Sequence, residues 1–299
     1  MNDSTDSEKQ VTLFDYIKII PQYLAPHFLV TKFVYWLAQS KNTLVKNIFI
    51  TWFRNHYKVD MSLAQNENAT TYQSFNAFFT RSLKPDVRPV DSDQNKIICP
   101  VDGAVSQIGH INGESIFQAK GHSFTLHQLL AEQEDWCKVF HNGAFTTIYL
   151  SPKDYHRIHM PCSGTLKQMS YVPGKLFSVS PLTTRMIPGV FARNERILCF
   201  FDTEFGPLGL IMVGAMIVGG METVWHGCVT PPHRGRVKHW HYTDTESPKL
   251  FHKGDEMGRF NIGSTVILLF PENCIDWNKD INSESITVVG QPIANLKNQ

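Results

Sequence analysis

Two histidines in one short segment have the residue type and spacing for acid–base chemistry. His156 and His159 lie in the sequence SPKDYHRIHMP, directly after a strand-like run that ends at Leu150. Imidazole titrates near neutral pH, so either ring can act as a general base, a general acid or a metal ligand. A histidine in a polar loop can also be purely structural, and the local sequence leaves these roles open.

Two further motifs carry groups that can complete a nucleophilic site. Asp102 lies in a Pro-Val-Asp-Gly motif, for which a hairpin turn is the simplest interpretation. Ser264 follows Gly263 at the entrance to a strand-like run, where a glycine leaves its carbonyl open to the serine hydroxyl. A serine, a histidine base and a buried aspartate together activate a hydroxyl, and geometry rather than chain order identifies them. Asp102, His159 and Ser264 can supply this combination if the fold brings them together.

The composition excludes several classes of protein. Of the 299 residues, 42% are hydrophobic and 18% are charged, which is the balance of a globular chain. The formal net charge of +1 provides no overall field that would recruit nucleic acid. The longest apolar run, residues 208–220, is shorter than the roughly 20 residues that span a bilayer. The acidic first ten residues have neither the basic start of a signal peptide nor the arginine bias of a transit peptide.

The N-terminal segment combines helical periodicity with a local positive charge. Aromatic and aliphatic residues recur at three- and four-residue spacings after the polar tail. Pro21 and Pro26 divide this pattern into three predicted helices, at 12–20, 28–39 and 41–56. Six Lys and Arg residues outnumber two Asp residues between positions 11 and 60, for a net charge of +4. This composition fits a helix in a membrane interface and equally a helical cap on the main domain.

The rest of the chain is dominated by short β-type runs between Gly, Pro, Asn and Asp. Short helices are predicted at 74–80 and 125–131, and strands at 104–109, 115–119, 144–150, 164–172, 197–202, 208–218, 222–230, 235–241, 264–270 and 285–289. The expected fold class is α+β, with a largely antiparallel, sandwich- or barrel-like catalytic domain. The predicted divisions are a polar tail (1–10), a helical segment (11–83) that is either a membrane-interface segment or a cap, and a β-rich domain (84–299).

The motifs and their order resemble the phosphatidylserine decarboxylase family in its bacterial, membrane-associated form. The resemblance extends from about residue 23 to residue 292 and is carried by the blocks YKVDM, FNAFFTRSL, RPVD, PVDG, QAKGHSF, YLSPKDYHRIHMPCSG, FDTEFGP, VGAMIVGGMETVW and MGRFNIGST. Ile262 stands where the family commonly has leucine, a change that affects packing rather than chemistry.

The resemblance implies a self-cleaving enzyme that makes its own cofactor and uses no metal. In that family pattern the Ser264 hydroxyl attacks the Gly263 carbonyl, and elimination and hydrolysis then release ammonia and leave a pyruvoyl group on residue 264. Asp102 and His159 are implied as the charge-relay partners that activate Ser264. The products are a β chain (1–263) and an α chain (264–299) that stay associated.

The resemblance also implies the reaction and its setting. Phosphatidylserine would be decarboxylated to phosphatidylethanolamine through a Schiff base on the pyruvoyl carbonyl, in phospholipid biosynthesis. His156 would contact the substrate carboxylate or deliver the proton that replaces CO₂. The enzyme would be peripheral, on the cytoplasmic side of the bacterial inner membrane, with the basic N-terminal segment on the anionic surface. Arg157 and Lys175 are unranked candidates for contacting the lipid phosphate, and assembly beyond the two chains is left open.

Two alternatives compete with this interpretation. A zinc hydrolase would use His156 and His159 with a third ligand, for which the candidates are His226, His233 and His239. A non-enzymatic peripheral membrane protein would use the N-terminal helices as its whole function, and its chain would stay intact.

Overall fold

A computed structural model describes residues 12–24, 26–119, 121–216, 220–230, 235–243, 248–261 and 264–297. Its helices are α1 (Leu13–Leu24), α2 (His27–Ala38), α3 (Thr43–Tyr57), α4 (Phe75–Phe79), α5 (Leu126–Leu130), α6 (Glu134–Phe140), α7 (Pro181–Met186) and α8 (Val190–Arg193). Its strands are β1 (Lys96–Ile98), β2 (Gly103–His110), β3 (Ser115–Ala119), β4 (His122–Thr125), β5 (Ala144–Leu150), β6 (Arg157–His159), β7 (Gly164–Val172), β8 (Arg196–Thr203), β9 (Gly206–Val213), β10 (Met221–Thr223), β11 (Gly227–Thr230), β12 (Lys238–His241), β13 (Leu250–Phe251), β14 (Glu256–Phe260), β15 (Ser264–Phe270), β16 (Ile275–Trp277), β17 (Ile286–Thr287) and β18 (Pro292–Leu296).

The strands pair in antiparallel fashion. Within the described ranges the largest sheet has nine strands in the order β12-β7-β8-β9-β15-β5-β2-β17, with β13 also paired to β7. Smaller sheets have the orders β11-β10-β14-β6, β1-β18-β16 and β3-β4. The predicted α+β class with a largely antiparallel sheet is therefore confirmed. Among the described strands the large sheet stays open between β12 and β17, so these strands do not close into a barrel.

The strand that begins at Ser264 lies in the interior of the large sheet. β15 pairs with β5 on one side and with β9 on the other. The side chains of residues 266–270 are all fully buried. Because both faces of this strand are covered, its sequence is an uninterrupted apolar run rather than an alternating one.

Three predicted elements differ most from the structure in their bounds. The first helix continues through Pro21 to Leu24, because a proline in the last turn removes only one helical hydrogen bond. The predicted strand at 208–218 ends at Val213. The predicted strand at 222–230 is a hairpin of β10 and β11, because Gly227 adopts a φ of 77° and the chain reverses there.

Helices α2–α4 have a small core of their own, rich in phenylalanine. Phe53 of α3 meets Phe75, Phe78 and Phe79 of α4 at ring-centroid distances of 5.0, 6.3 and 5.8 Å. Phe79, at the end of α4, also lies 4.2 Å from the imidazole of His156. This helical core therefore forms one wall around a candidate site residue.

Most of the exposed large apolar side chains belong to α1–α3. These helices contain twelve of the seventeen such side chains found on described residues. On α2 and α3 they recur at helical spacing, at Leu29, Phe33 and Trp36 and at Leu44, Ile48 and Trp52. Each of these helices therefore presents one apolar stripe to solvent. Among the described helices, none has the length and apolar character needed to cross a bilayer.

Candidate active site

Three neighbouring strands of the large sheet, β15, β5 and β2, have ends that lie side by side. This row of strand ends, called the sheet edge below, carries two of the predicted site residues. Ser264, the first residue of β15, pairs with Leu150 at the end of β5. Ala104 near the start of β2 pairs with Tyr149 on the other side of β5. Neighbouring strands are about 4.8 Å apart, so Asp102, just before β2, lies about two strand spacings from Ser264. The fold thus brings the aspartate and the serine to the same sheet edge.

The segment with the two histidines starts from this edge. The chain leaves β5 and turns through residues 151–156 before it enters β6. The His159 amide donates to the carbonyl of Pro100, two residues before Asp102, at 2.9 Å. The carbonyl of His156 accepts from the amide of Phe260, in the strand that leads to Ser264, at 3.0 Å. The candidate histidines are therefore linked by backbone to both other motifs.

Gly103 in the Pro-Val-Asp-Gly motif is needed for close packing rather than for a hairpin. The strand before it, β1, pairs with β18 and not with β2, so the predicted hairpin turn is wrong. A Cβ on Gly103 would lie 2.5 Å from the carbonyl oxygen of Tyr149. Only glycine lets β2 approach β5 this closely and hold Asp102 beside the end of β5.

The Asp102 carboxylate is held by an arginine that the sequence analysis missed. Arg88 Nε donates to Oδ1 and Oδ2 of Asp102 at 2.9 and 3.1 Å, and Arg88 Nη2 donates to Oδ2 at 2.5 Å. The amide of Val289 donates to Oδ1 at 2.9 Å. Only 10% of the Asp102 side chain is exposed, so these donors replace most of its water. Within the described residues the carboxylate accepts no hydrogen bond from His159, so the charge relay implied by the resemblance is not formed as a direct contact here.

His159 is oriented by a backbone carbonyl. Its Nδ1 lies 2.8 Å from the Gly254 carbonyl oxygen, which can only accept, so Nδ1 carries the proton. Nε2 is then the free base, and it lies 3.1 Å from the Tyr155 hydroxyl, which donates to it. Burial lowers the pKa of His159, so the ring is neutral near pH 7 and the lone pair of Nε2 can accept a proton. The ring therefore has the protonation state that a general base needs.

His156 is fully buried, and one of its nitrogens is unused. Nδ1 donates to the Asp154 carbonyl at 2.9 Å, which leaves Nε2 unprotonated. Nε2 is buried and has no hydrogen-bond partner among the residues that the structure describes. Burial lowers the pKa of His156 to about 3. A buried acceptor without a partner is unusual in a folded protein and indicates a position prepared for a ligand group.

The predicted cleavage site is only partly described. For Ser264 the structure defines the backbone and its pairing in β15. Gly263 lies outside the described residues. Asn261, three residues before Ser264, donates to Glu222 Oε1 at 2.9 Å and lies 3.2 Å from the Asn76 side-chain amide. Polar side chains of α4 and β10 therefore contact Asn261 in the segment that leads to Ser264.

The two phosphate candidates differ in their positions. Arg157 lies at this site, where its Nε donates to the Thr80 carbonyl at 3.0 Å and its Nη1 to Glu256 at 2.8 Å. Lys175 is exposed, on a segment that bridges to Asn194. Two further arginines near Arg157, at positions 81 and 259, have no counterpart in the sequence predictions.

The histidines proposed for a zinc site have other partners. His239 Nδ1 lies 2.8 Å from the Ser170 hydroxyl, and His226 packs on Trp240 with a ring-centroid distance of 4.8 Å. His233 lies outside the described residues. Among the residues that the structure describes, no cluster of three or more His, Cys, Asp or Glu side chains has the arrangement of a metal site.

Comparison with known proteins agrees with the site. A profile of the phosphatidylserine decarboxylase family matches residues 75–295, and a second profile, described as PSD, matches residues 17–58. A phosphatidylserine decarboxylase proenzyme of Saccharophagus degradans is 51% identical over 285 residues, which cover 95% of this chain and 99% of the relative. Proenzymes of the same name from Idiomarina loihiensis and Shewanella sediminis are 48% and 50% identical, again over 95% of this chain.

These matches and the paired histidines beside a strand that begins with serine define the chain as a decarboxylase, a carboxy-lyase. It belongs to the phosphatidylserine decarboxylase family. The family membership therefore argues against both alternatives, the zinc hydrolase and the non-enzymatic membrane protein.

Proposed function

We propose that this protein is a proenzyme that cleaves itself between Gly263 and Ser264 and then decarboxylates phosphatidylserine to phosphatidylethanolamine and CO₂. The observation that carries the proposal is the register of β15. Ser264 is the first residue of a strand that forms seven residue pairs with β5 and five with β9. This serine lies beside the segment with His156 and His159. The names of the relatives support the substrate and the precursor form.

Self-cleavage begins at the Ser264 hydroxyl, whose oxygen attacks the carbonyl carbon of Gly263 while His159 Nε2 takes the proton. The peptide C–N bond breaks and an ester replaces it, which frees the amino group of residue 264. Elimination across Cα–Cβ of residue 264 expels the carboxylate of Gly263. One water then replaces the nitrogen, so that ammonia leaves and a pyruvoyl carbonyl remains.

Tyr155 and Asp102 set the conditions for this step. Nε2 of His159 accepts from the Tyr155 hydroxyl, so this hydroxyl must turn away before Nε2 can receive the serine proton. The Asp102 carboxylate, which forms an ion pair with Arg88, stabilises the imidazolium electrostatically and without a direct hydrogen bond. The arrangement differs from a directly bonded aspartate–histidine pair because the Gly254 carbonyl already occupies Nδ1 of His159.

The fold suits a chain that is cut before Ser264. The segment from residue 264 onward contains β15, β16, β17 and β18. Three of these pair with strands of the other product, β15 with β5 and β9, β17 with β2, and β18 with β1. The two chains therefore remain one body after cleavage, and residue 264 stays at the sheet edge.

His156 carries the proton that the reaction needs. The pyruvoyl carbonyl supplies an electron sink for the electron pair that remains when CO₂ leaves the substrate. In the resting protein Nε2 of His156 has neither a proton nor a partner, and the ring is neutral at pH 7. A substrate carboxylate placed beside Nε2 raises the pKa of the ring, so that substrate and proton are taken up together. Loss of CO₂ removes that carboxylate charge, and the proton passes to the carbon that lost it.

The helices α1–α3 support binding to an anionic membrane surface. Their exposed apolar stripes are accompanied by the exposed lysines Lys32, Lys41 and Lys58. Lys46 contributes no surface charge, because it is buried and donates to the Thr70 carbonyl at 2.6 Å. Tyr35 of α2 hydrogen-bonds to Cys228 of β11. Strand β11 pairs with β10, which contains Glu222. The proposed membrane surface thus adjoins the strands that lead to Ser264.

The experiment that tests this proposal is a denaturing gel of single variants, read beside their activity on phosphatidylserine. Ser264→Ala and His159→Ala should stay as one chain, because nucleophile or base is missing. His156→Ala should cleave and then fail to decarboxylate, and the exposed Ser115→Ala should behave as wild type.

Two results would contradict the assignment. If His156→Ala stays intact while His159→Ala matures, the roles of the two histidines are exchanged. If the wild-type protein decarboxylates phosphatidylserine as one intact chain, self-cleavage is wrong.

A further inference from the structure

A cavity beside the histidine segment is lined by three arginines. It has a volume of about 340 Å³ and is formed by Arg81, Arg157, Arg259, Tyr72 and the 65–66 segment, among others. Arg157 and Arg259 are directly paired residues of β6 and β14. Small-molecule sites have volumes of about 300–1,000 Å³, so this cavity suits a small group such as a lipid headgroup.

The charges around the cavity do not balance. Arg157 is paired with Glu256 at 2.8 Å and Arg259 with Glu222 at 3.0 Å. Arg81 has no carboxylate within ion-pair distance among the described residues, although only 4% of it is exposed. A buried cation without a counter-ion is strongly unfavourable in a folded protein. Arg81 therefore lacks a directly bonded counter-ion.

The hydrogen bonds of Arg81 lead to the same conclusion. Its Nη2 donates to the Lys153 carbonyl at 3.0 Å. Its Nε and Nη1 are buried and have no hydrogen-bond partner among the described residues, and the guanidinium carbon lies 5.7 Å from the centre of the Phe78 ring. Burial lowers the pKa of Arg81 and outweighs the opposite effect of the carboxylates of Asp102, Asp154 and Asp60, none of which forms an ion pair with it. Two nitrogens with unused donors and one positive charge without a bonded counter-ion match a group with several acceptor oxygens and a charge of −1.

We propose that this cavity binds a phosphodiester monoanion, the phosphate of the phosphatidylserine headgroup, with Arg81 as its principal counter-ion. This inference rests on the proposed function. A phosphodiester has one negative charge near pH 7, so it can serve as the bonded counter-ion of Arg81, and its free oxygens accept from guanidinium groups. Arg157 and Arg259 keep their glutamates and add donors at the rim.

The position of the cavity suits this role. Phe79, two residues before Arg81, packs on His156, and Arg157 directly follows His156. Arg259 lies five residues before Ser264 in the chain. In phosphatidylserine the reacting carbon is separated from the phosphorus by only a few bonds. An anchored phosphate would therefore hold the serine carboxylate and amine close to His156 and residue 264.

Binding can be tested without turnover. The probe is glycerophosphoglycerol, a phosphodiester without an amine or a carboxylate, and its binding is measured by calorimetry beside inorganic phosphate and glycerol. The proteins are wild type, Arg81→Lys, Arg81→Met and the exposed control Arg185→Met. Arg81→Met should weaken binding of the probe by about 10- to 100-fold, because a charged hydrogen-bonding partner is lost. Arg81→Lys should lie in between, Arg185→Met should match wild type, and glycerol should not bind.

A kinetic comparison separates the headgroup from free phosphate. With soluble dihexanoyl phosphatidylserine, Arg81→Met should raise KM by a similar factor while self-cleavage on the gel stays normal. If inorganic phosphate binds through Arg81 but the KM is unchanged, the cavity is a free-phosphate site and the proposal is wrong. If the probe binds Arg81→Met as tightly as wild type, the proposal is also wrong. Failure of wild type to decarboxylate would instead contradict the proposed function, because probe binding needs no turnover.

Stability adds an independent readout. Removal of an uncompensated buried charge should leave the melting temperature of Arg81→Met at or above that of wild type, whereas loss of a purely structural arginine should lower it. If Arg81→Met does not fold, Arg259→Gln is the second variant, because glutamine can still donate to Glu222. Arg259→Gln should also weaken binding of the probe, and unchanged binding in that variant would overturn the proposal.

Discussion

Acidification should destabilise this protein through His156, and the effect has a definite size. The pKa of this buried ring falls from its usual 6.5 to about 3 in the folded chain. Between these values the unfolded chain binds more protons than the folded one, so stability falls as the pH falls. At pH 5 the unfolded ring is almost fully protonated and the folded ring is not. The shift then corresponds to a loss of about 2 kcal/mol relative to pH 8.

Urea unfolding of the Ser264→Ala protein, followed by circular dichroism, measures this loss on a single uncleaved species. The comparison protein is Ser264→Ala with His156→Asn, in which the amide can still donate to the Asp154 carbonyl but does not titrate. The free energy of unfolding should fall between pH 8 and pH 5 by about 2 kcal/mol more in the histidine-containing protein. Equal losses in the two proteins would refute the assignment of a buried, neutral His156.

Two other perturbations test the remaining parts of the site. Asp102→Ala leaves Arg88 without its partner and should cost about 3 kcal/mol of stability in addition to blocking cleavage. Asp102→Asn keeps acceptor and shape, so it should slow cleavage on the gel with a smaller shift in the thermal melt. Serine substitutions at Leu29, Phe33 and Trp36 together should weaken binding to anionic vesicles by about a thousandfold or more, since each apolar side chain contributes about 1.5–3 kcal/mol when buried. Phe117→Ser, an exposed apolar change outside the helices, is the matched control in vesicle flotation and should leave binding unchanged.

Long periodic or apolar segments were predicted well from the sequence because their patterns are local. The strands at 115–119, 144–150, 164–172 and 264–270 have the predicted bounds. The short strands β6 and β14 were missed, since their residues alternate polar and apolar side chains over only a few positions. These two strands form because they pair with each other beside the candidate active site. Such pairing depends on residues about a hundred positions apart and leaves no local signal.

The sequence predicts candidate site residues but not the contacts that they make. The sheet register brings the motifs of Asp102 and Ser264 to the same sheet edge, and the amide of His159 donates to Pro100 beside them. Nothing local indicated that Arg88 would hold Asp102 or that the Gly254 carbonyl would hold His159. The buried charge of Arg81 was also hidden, because a lone arginine after a phenylalanine-rich helix resembles an ordinary surface cation. Burial and long-range pairing decide these contacts, and both emerge only in the folded chain.

The most direct test of the central claim is the intact mass of the small product from purified wild-type protein. Self-cleavage before Ser264 should give a fragment of residues 264–299 that is lighter by one ammonia than the same peptide with an N-terminal serine. Edman sequencing of this fragment should be blocked, because a pyruvoyl group has no amine. A fragment with the mass of an unmodified N-terminal serine, or an active protein with the full 34.1 kDa chain, would contradict the account.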